Sequence, residues 1–180
     1  MNTLETIFSR SSYRGPYLPD RVPREDLETI MRTGLAAPSG CNKQTVSLIA
    51  VDDPTLLHSL RSAVPYAVGE TAPALILVLT KRVCAYRNQC FCAQDYAAAI
   101  ENMLLAIVEL GYQSCWVEGY ITDSDRLGRK MADILGMPQE YEAVCYLPVG
   151  RAKDEPTHVA KKPFGERAWF NGFGSGDGRA

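Results

Sequence analysis

Ala93-Gln94-Asp95-Tyr96-Ala97-Ala98-Ala99-Ile100-Glu101-Asn102-Met103-Leu104-Leu105-Ala106-Ile107-Val108-Glu109-Leu110 is alanine-rich and apolar over much of a helical circumference, through Ala97, Ile100, Leu104, Ile107 and Val108. That pattern predicts the longest helix of the chain and puts it in the middle of the structure, because a surface helix keeps a polar face. Gly111 is its terminator, free to adopt the left-handed turn that ends helices.

Strands and further helices surround this stretch. Before it, Leu75 to Leu79 is a continuous apolar run, the signature of a strand buried on both faces. Val46 to Val51 reads as another strand, and Asp53-Pro54 opens a helix carrying Leu56, Leu57 and Leu60, with Asp53 as cap. After it, Gln113 to Val117 and Ala143 to Val149 read as strands, separated by a helix over about 124–135 with Asp123 as cap and Gly136 as stop. At the N-terminus, residues 2–9 form a short amphipathic helix with Leu4, Ile7 and Phe8 on one face. Pro23 then starts a second helix that runs to Ala37 and stops at Pro38-Ser39-Gly40. From Gly150 onward periodicity is lost. Residues 1–173 therefore read as one domain with intermixed strands and helices around one sheet, ending in an extended arm, and 174–180 as a disordered tail. So long a structureless segment is uncommon in a compact domain, and wrapping a partner subunit accounts for it.

A 180-residue chain with 46% hydrophobic and 22% charged residues has material for one real core. Its net charge of -2 offers no electrostatic reason to bind nucleic acid or an anionic membrane. Met1 to Glu5 lacks the basic and apolar regions of a secretory signal. The most apolar run, Ala72 to Leu79, falls well short of the roughly 20 residues a spanning helix needs. A cytoplasmic location is the expectation. The six cysteines are scattered, and the one close pair, Cys90-Phe91-Cys92, has one intervening residue where common zinc and redox motifs have two. Reduced, mostly buried thiols are expected, with no metal site.

Four places carry functional chemistry. Arg10-Ser11-Ser12-Tyr13-Arg14 puts two guanidinium groups and two hydroxyls at the end of the first helix, a set that can bind a phosphate, although a solvated helix end explains it as well. Ala37-Pro38-Ser39-Gly40-Cys41-Asn42-Lys43-Gln44 offers amides that suit the edge of a heterocycle, with turn chemistry as the plain alternative. Glu118-Gly119 follows Cys115-Trp116-Val117 at a strand end, where a glycine lets the backbone approach a flat ring. Lys161-Lys162 in the arm can add point charges to a phosphate site or form a solvated patch.

Taken in order, these residues resemble the nitroreductase family of FMN enzymes along almost the whole chain. The likeness rests on the Arg10–Arg14 box, the Pro38-Ser39-x-x-Asn42-x-Gln44 box, Asp95 opening its helix ahead of Gly111-Tyr112-Gln113-Ser114-Cys115-Trp116, and Pro148-Val149-Gly150 before a basic arm. The resemblance implies an α+β fold with a central mixed sheet flanked by helices and a C-terminal arm that wraps a dimer partner. It implies a homodimer with FMN at the interface. Arg10, Ser11, Ser12 and Arg14 would hold the phosphate and ribityl chain, assisted by Lys161 or Lys162. Pro38, Ser39, Asn42 and Gln44 would approach the flavin from the other subunit, and backbone at Glu118 and Gly119 would lie beside the ring. The helix with Ile100, Asn102 and Leu105 would form much of the interface. Many relatives have Pro and an aromatic residue where this chain has Thr45-Val46.

The implied activity is ping-pong hydride transfer from NAD(P)H through the flavin to a small electron-poor acceptor such as a nitroaromatic or quinone. In such an enzyme the cofactor carries the chemistry. No catalytic side chain is expected, since His58 and His158 lie outside the four places. The alternatives are an FMN-binding protein for storage or sensing, a specialised relative acting on a defined metabolite with Arg82 to Cys92 shaping its pocket, and a thiol redox protein using Cys90 and Cys92.

Overall fold

The computed structural model describes residues 2–63, 68–119, 121 and 127–174. Three strands form its sheet: β1 (Val46–Val51), β2 (Ala74–Thr80) and β3 (Glu142–Val149), in that spatial order. β1 pairs antiparallel with β2, Val46 opposite Thr80 and Val51 opposite Leu75. β2 pairs antiparallel with β3, Ala74 opposite Val149, with a bulge between Val78 and Leu79. Among the described residues every pairing is antiparallel, where a mixed sheet was expected.

The apolar run of β2 is buried along its whole length because helices cover both faces. Ala74, Ile76 and Val78 pack against α2 (Arg24–Leu35) and α4 (Cys92–Glu109), while Leu75, Leu77 and Leu79 meet α3 (Pro54–Ala63) and α5 (Leu127–Ile134). Pleating sends successive side chains to opposite faces, so one continuous hydrophobic strand serves two cores. The expected cap of α3 is present: the Asp53 carboxylate accepts from the N–H groups of Thr55 and Leu56, both at 2.9 Å. The expected Asp123 cap lies outside the described residues. Gly111 ends α4 with φ 81°, and the N–H of Tyr112 donates to the Ile107 carbonyl at 2.9 Å, which satisfies a carbonyl the helix leaves open.

Several boundaries and faces differ from expectation. Pro23 stands one residue before α2, which ends at Leu35. Residues 113–117 are not a continuous strand. Gln113 bridges Gly150 and Val117 bridges Tyr146, but between them the Ser114 carbonyl accepts from the N–H of Tyr13 at 2.9 Å, so the N-terminal segment takes a place a ladder would use. In α1 (Thr3–Ser9) Leu4 and Phe8 are 64% and 80% exposed. This helix docks on α4 by Thr6, whose hydroxyl reaches Glu109, and turns its apolar face away from the chain's own core.

The long helix is central on one side only. Ile100, Met103, Leu104 and Ile107 face the sheet and are buried, so Ile100 is not available to a partner. At 100° per residue Asn102, Leu105 and Ala106 fall on the opposite flank. There they line a groove of about 490 Å³ with Thr3, Thr6, Thr29 and Thr33. The arm begins by pairing with the N-terminal connection, Tyr17 opposite Ala152, and then runs exposed to residue 174 with one short turn at Phe164–Glu166. Val159, Phe164, Phe170 and Phe173 all stand in solvent. Among the described residues no helix is long and apolar enough to cross a membrane.

Candidate functional site

The first candidate box follows α1. Arg10 caps that helix, and its guanidinium lies 3.6 Å from Glu101 of α4. The next residues lie against Ser114 and Cys115. Tyr13 is tied to Ser114 through the backbone, while burial pushes the Cys115 thiol up, an effect that Arg14, the Ser12 hydroxyl and Arg10 oppose. Arg10, Ser12 and Arg14 thus all favour the charged form of one buried thiol. The hydroxyls of Ser11 and Ser114 are buried with no hydrogen-bond partner among the described residues, and so is the Gln113 side-chain carbonyl. A buried polar atom without a partner costs about 1–3 kcal/mol, so such a group commonly marks a place where a ligand or water belongs.

The second box is held by a residue that the sequence marked only as the opening of its helix. Asp95, in the first turn of α4, is 4% exposed. One carboxylate oxygen accepts from the backbone N–H of Gly40 and the other from the Thr45 hydroxyl, both at 2.7 Å. Between those anchors Cys41, Asn42 and Gln44 have φ of 51°, 53° and 49°, a conformation side chains other than glycine adopt at a cost. The Ser39 hydroxyl closes the loop by accepting from the Gln44 N–H at 2.9 Å. Pro38, Asn42 and Gln44 are exposed, and Ser39 is half-buried. Pro38, Ser39, Gln44, Asp95 and Ala99 line a cavity of about 170 Å³. The hydroxyl of Thr45 gives that departure from many relatives a physical reason. The available signal was a lone carboxylate in the first turn of a largely apolar helix.

The same turn of α4 reaches the third place. Tyr96 donates to one oxygen of Glu118 at 3.4 Å, and the Trp116 indole N–H donates to the other at 2.8 Å. Burial, followed by the charge of Glu118, raises the Tyr96 phenol. Gly119 beside it is exposed, and among the described residues no heavy atom lies within 4 Å of where a Cβ would stand. Lys161 and Lys162 are exposed on the arm. One chain thus gathers two groups, one of Arg10, Ser11, Ser12 and Arg14 around Ser114 and Cys115, the other of residues 38–45 and 118 around the head of α4. Among the described residues the arm lysines contact neither group.

The chemistry of these groups suits a ligand with an anionic end and a flat ring. Guanidinium forks and reserve hydroxyls can satisfy a phosphate and a polyol. The open backbone at Gly119 leaves room for a planar ring, and the fixed loop 38–45 presents polar donors and acceptors. FMN has all of these parts, and the residues present fit it.

Comparison with known proteins identifies the frame. The model of the nitroreductase family matches residues 7–67 and 61–151. A protein of Archaeoglobus fulgidus, provisionally named an NADH dehydrogenase/NAD(P)H nitroreductase, is 30% identical over 156 residues, covering 84% of this chain and 86% of the relative. A similarly named protein of Methanothermobacter thermautotrophicus is 27% identical over 157 residues, 87% of this chain and 80% of its own. Among solved structures, a Bacteroides fragilis nitroreductase with bound FMN superposes with a TM-score of 0.76 at 26% identity, covering 94% of this chain and 98% of that one. The chain belongs to the nitroreductase family.

Proposed function

We propose that this chain is an FMN-dependent oxidoreductase, working as a homodimer, that takes hydride from NADH or NADPH and delivers it in ping-pong order to an electron-poor small molecule such as a nitroaromatic or a quinone. The observation that carries this reading is that Ser11, between Arg10 and Ser12 in the chain, and Ser114, next to the Cys115 thiol that Arg14 and Arg10 influence, bury hydroxyls with no partner among the described residues. The relative solved with FMN supports it, as does the NAD(P)H in the names of the archaeal relatives.

Bound FMN supplies the two-electron chemistry at its ring. The chain's own part is to bind and orient. Arg10 and Arg14 donate to the phosphate; an arginine has five N–H donors, so Arg10 keeps donors to spare beside Glu101. Ser11 and Ser12 serve the phosphate and ribityl chain, with Lys161 or Lys162 adding charge from the arm. Pro38, Ser39, Asn42 and Gln44 meet the ring's polar edge from the partner subunit, where Asp95 keeps their loop in shape. Backbone at Glu118 and Gly119 lies along the ring, and the Glu118 carboxylate stays tied to Trp116 and Tyr96. No side chain is assigned an acid or base role.

Dimerisation is supported by the amount of apolar surface one chain leaves uncovered. The Leu4, Ile7 and Phe8 face, the groove beside Leu105 and the exposed aromatic residues of the arm exceed what scattered surface residues require. Absorbance spectra of the purified protein, recorded anaerobically before and after NADH or NADPH, test the whole reading. Oxidised-flavin bands that bleach on addition are the expected outcome. Bands that persist with both donors would make it a flavin carrier, and a colourless protein that takes up no added FMN would overturn the reading.

A further inference from the structure

The connection from β2 to α4 brings three cysteines together. Cys84 and Cys90 face each other in an antiparallel bridge, closed by the N–H of Ala85 donating to the Gln89 carbonyl at 2.8 Å. Arg87 and Asn88 make the reversal with φ of 53° and 59°. Two residues beyond Cys90, Cys92 is the first residue of α4. The Cys90 thiol donates to Cys92 Sγ at 2.9 Å, and the Cys92 thiol in turn donates to the Lys81 carbonyl at 3.0 Å. Cys90 is exposed and Cys92 is buried. The pair thus has one sulfur open to solvent and one held behind it in contact.

The charge around the pair favours a nucleophile. The Cys90 thiol is held below the ordinary thiol range by its hydrogen bond with the Cys92 side chain and then by one from the Cys92 backbone N–H, with the Arg82 guanidinium adding to the effect and burial and Cys84 opposing it. Arg82 interacts with Cys92 as well. A nearby guanidinium and the unsatisfied N–H groups at a helix start are the usual sources of thiolate character. The flavin-site proposal uses none of these sulfurs, and the two readings stand or fall separately.

We infer that Cys90 and Cys92 form a dithiol site that reduces small disulfides of low-molecular-weight thiols, Cys90 attacking and Cys92 resolving. The Cys90 thiolate attacks one sulfur of the disulfide, its S–S bond breaks, and one small thiolate leaves, taking up the proton that Cys90 released. The Cys92 thiol then attacks Cys90 Sγ, and its proton departs with the second small thiol. The chain loses two electrons and two protons and gains an intramolecular disulfide, while the small disulfide becomes two thiols. The roles follow from access: the attacking sulfur must meet an external disulfide, and the resolving sulfur needs only to touch its neighbour.

The test uses the full-length protein carrying Cys41→Ser, which removes the remaining exposed thiol outside the cluster. Reduced protein, freed of reductant, is incubated with oxidised glutathione and followed by intact mass and peptide mapping. The expected product has lost two hydrogens, retains no adduct, is cross-linked between residues 90 and 92, and returns to the starting mass with a reductant. Adding Cys92→Ser should trap a glutathione adduct on Cys90, and Cys84→Ser should leave the cross-linked product unchanged. Cys90→Ser should abolish the cross-link and slow the consumption of oxidised glutathione by about tenfold or more. A cross-link between Cys84 and Cys90, a lasting adduct on Cys90 with Cys92 intact, or an undiminished rate without Cys90 would each overturn the assignment.

Discussion

The loop at 38–45 and the segment at 10–14 serve one proposed ligand and are built in opposite ways. In the loop, the chain satisfies its own demands. Asp95 ties Gly40 and Thr45, Ser39 ties Gln44, and three residues are held at positive φ between the anchors. In the segment, demands are left open. Among the described residues Ser11 and Ser114 bury hydroxyls without partners, and Arg10 has a single ion pair, at 3.6 Å. The difference teaches where each part gets its stability. A loop that presents a shape must hold that shape before the ligand arrives, and strained conformations persist only where surrounding contacts over-determine them. A segment that presents donors to an anion must keep those donors in reserve, at a cost to the unliganded fold.

The sharpest way to break this comparison is at Asp95. Asp95→Ala removes the acceptor for two short hydrogen bonds and releases three strained residues. We expect a loss of about 2–4 kcal/mol of stability in chemical denaturation, since a bond to a charged group is worth about 1.5–3 kcal/mol and neighbouring bonds do not simply add. Asp95→Asn keeps one acceptor and should lose about half as much. A cost below about 1 kcal/mol for the alanine variant would mean that the loop holds its own shape.

Arg10→Ala should act on the ligand more than on the fold. Its pair with Glu101 is long, and Glu101 is half exposed, so little stability depends on it. One charge-assisted contact to a phosphate is worth about 1.5–3 kcal/mol, roughly a ten- to 150-fold rise in the FMN dissociation constant. Fluorescence titration of the apoprotein with FMN measures it. Unchanged affinity would remove Arg10 from the phosphate site and leave it as a surface partner of Glu101.

The same contrast explains what could be read in advance. β2 and the sheet-facing stripe of α4 were legible because a core writes itself into local periodicity, and the caps at Asp53 and Gly111 because they act within a few residues. Other features depend on distant partners. Nothing near Ser114 shows that its carbonyl will be taken by Tyr13, which is why residues 113–117 read as a strand. Nothing near Leu4 or Phe8 shows that α1 will dock by Thr6 and leave its apolar face outward. The role of Asp95 depends on two residues 55 and 50 positions away. The four boxes were found as a constellation, through resemblance, since turn chemistry or solvation explained each alone.

The smallest expected effect has a sign as well as a size. Ser11→Ala deletes a buried hydroxyl that has no partner among the described residues. In the apoprotein that deletion should leave stability unchanged or raise it by up to about 1 kcal/mol, because an unmet polar group is removed. With FMN present the sign should reverse: losing one neutral hydrogen bond costs about 0.5–1.5 kcal/mol, roughly a two- to tenfold weaker affinity. Thermal unfolding with and without FMN reads both halves in one experiment, since a ligand that binds only the folded chain raises its stability in proportion to its affinity. If Ser11→Ala lowers apoprotein stability by more than about 1 kcal/mol, the hydroxyl serves the fold itself and the segment is as self-sufficient as the loop. If apoprotein stability holds and the stabilisation by FMN shrinks, the unmet demand at 10–14 belongs to the ligand.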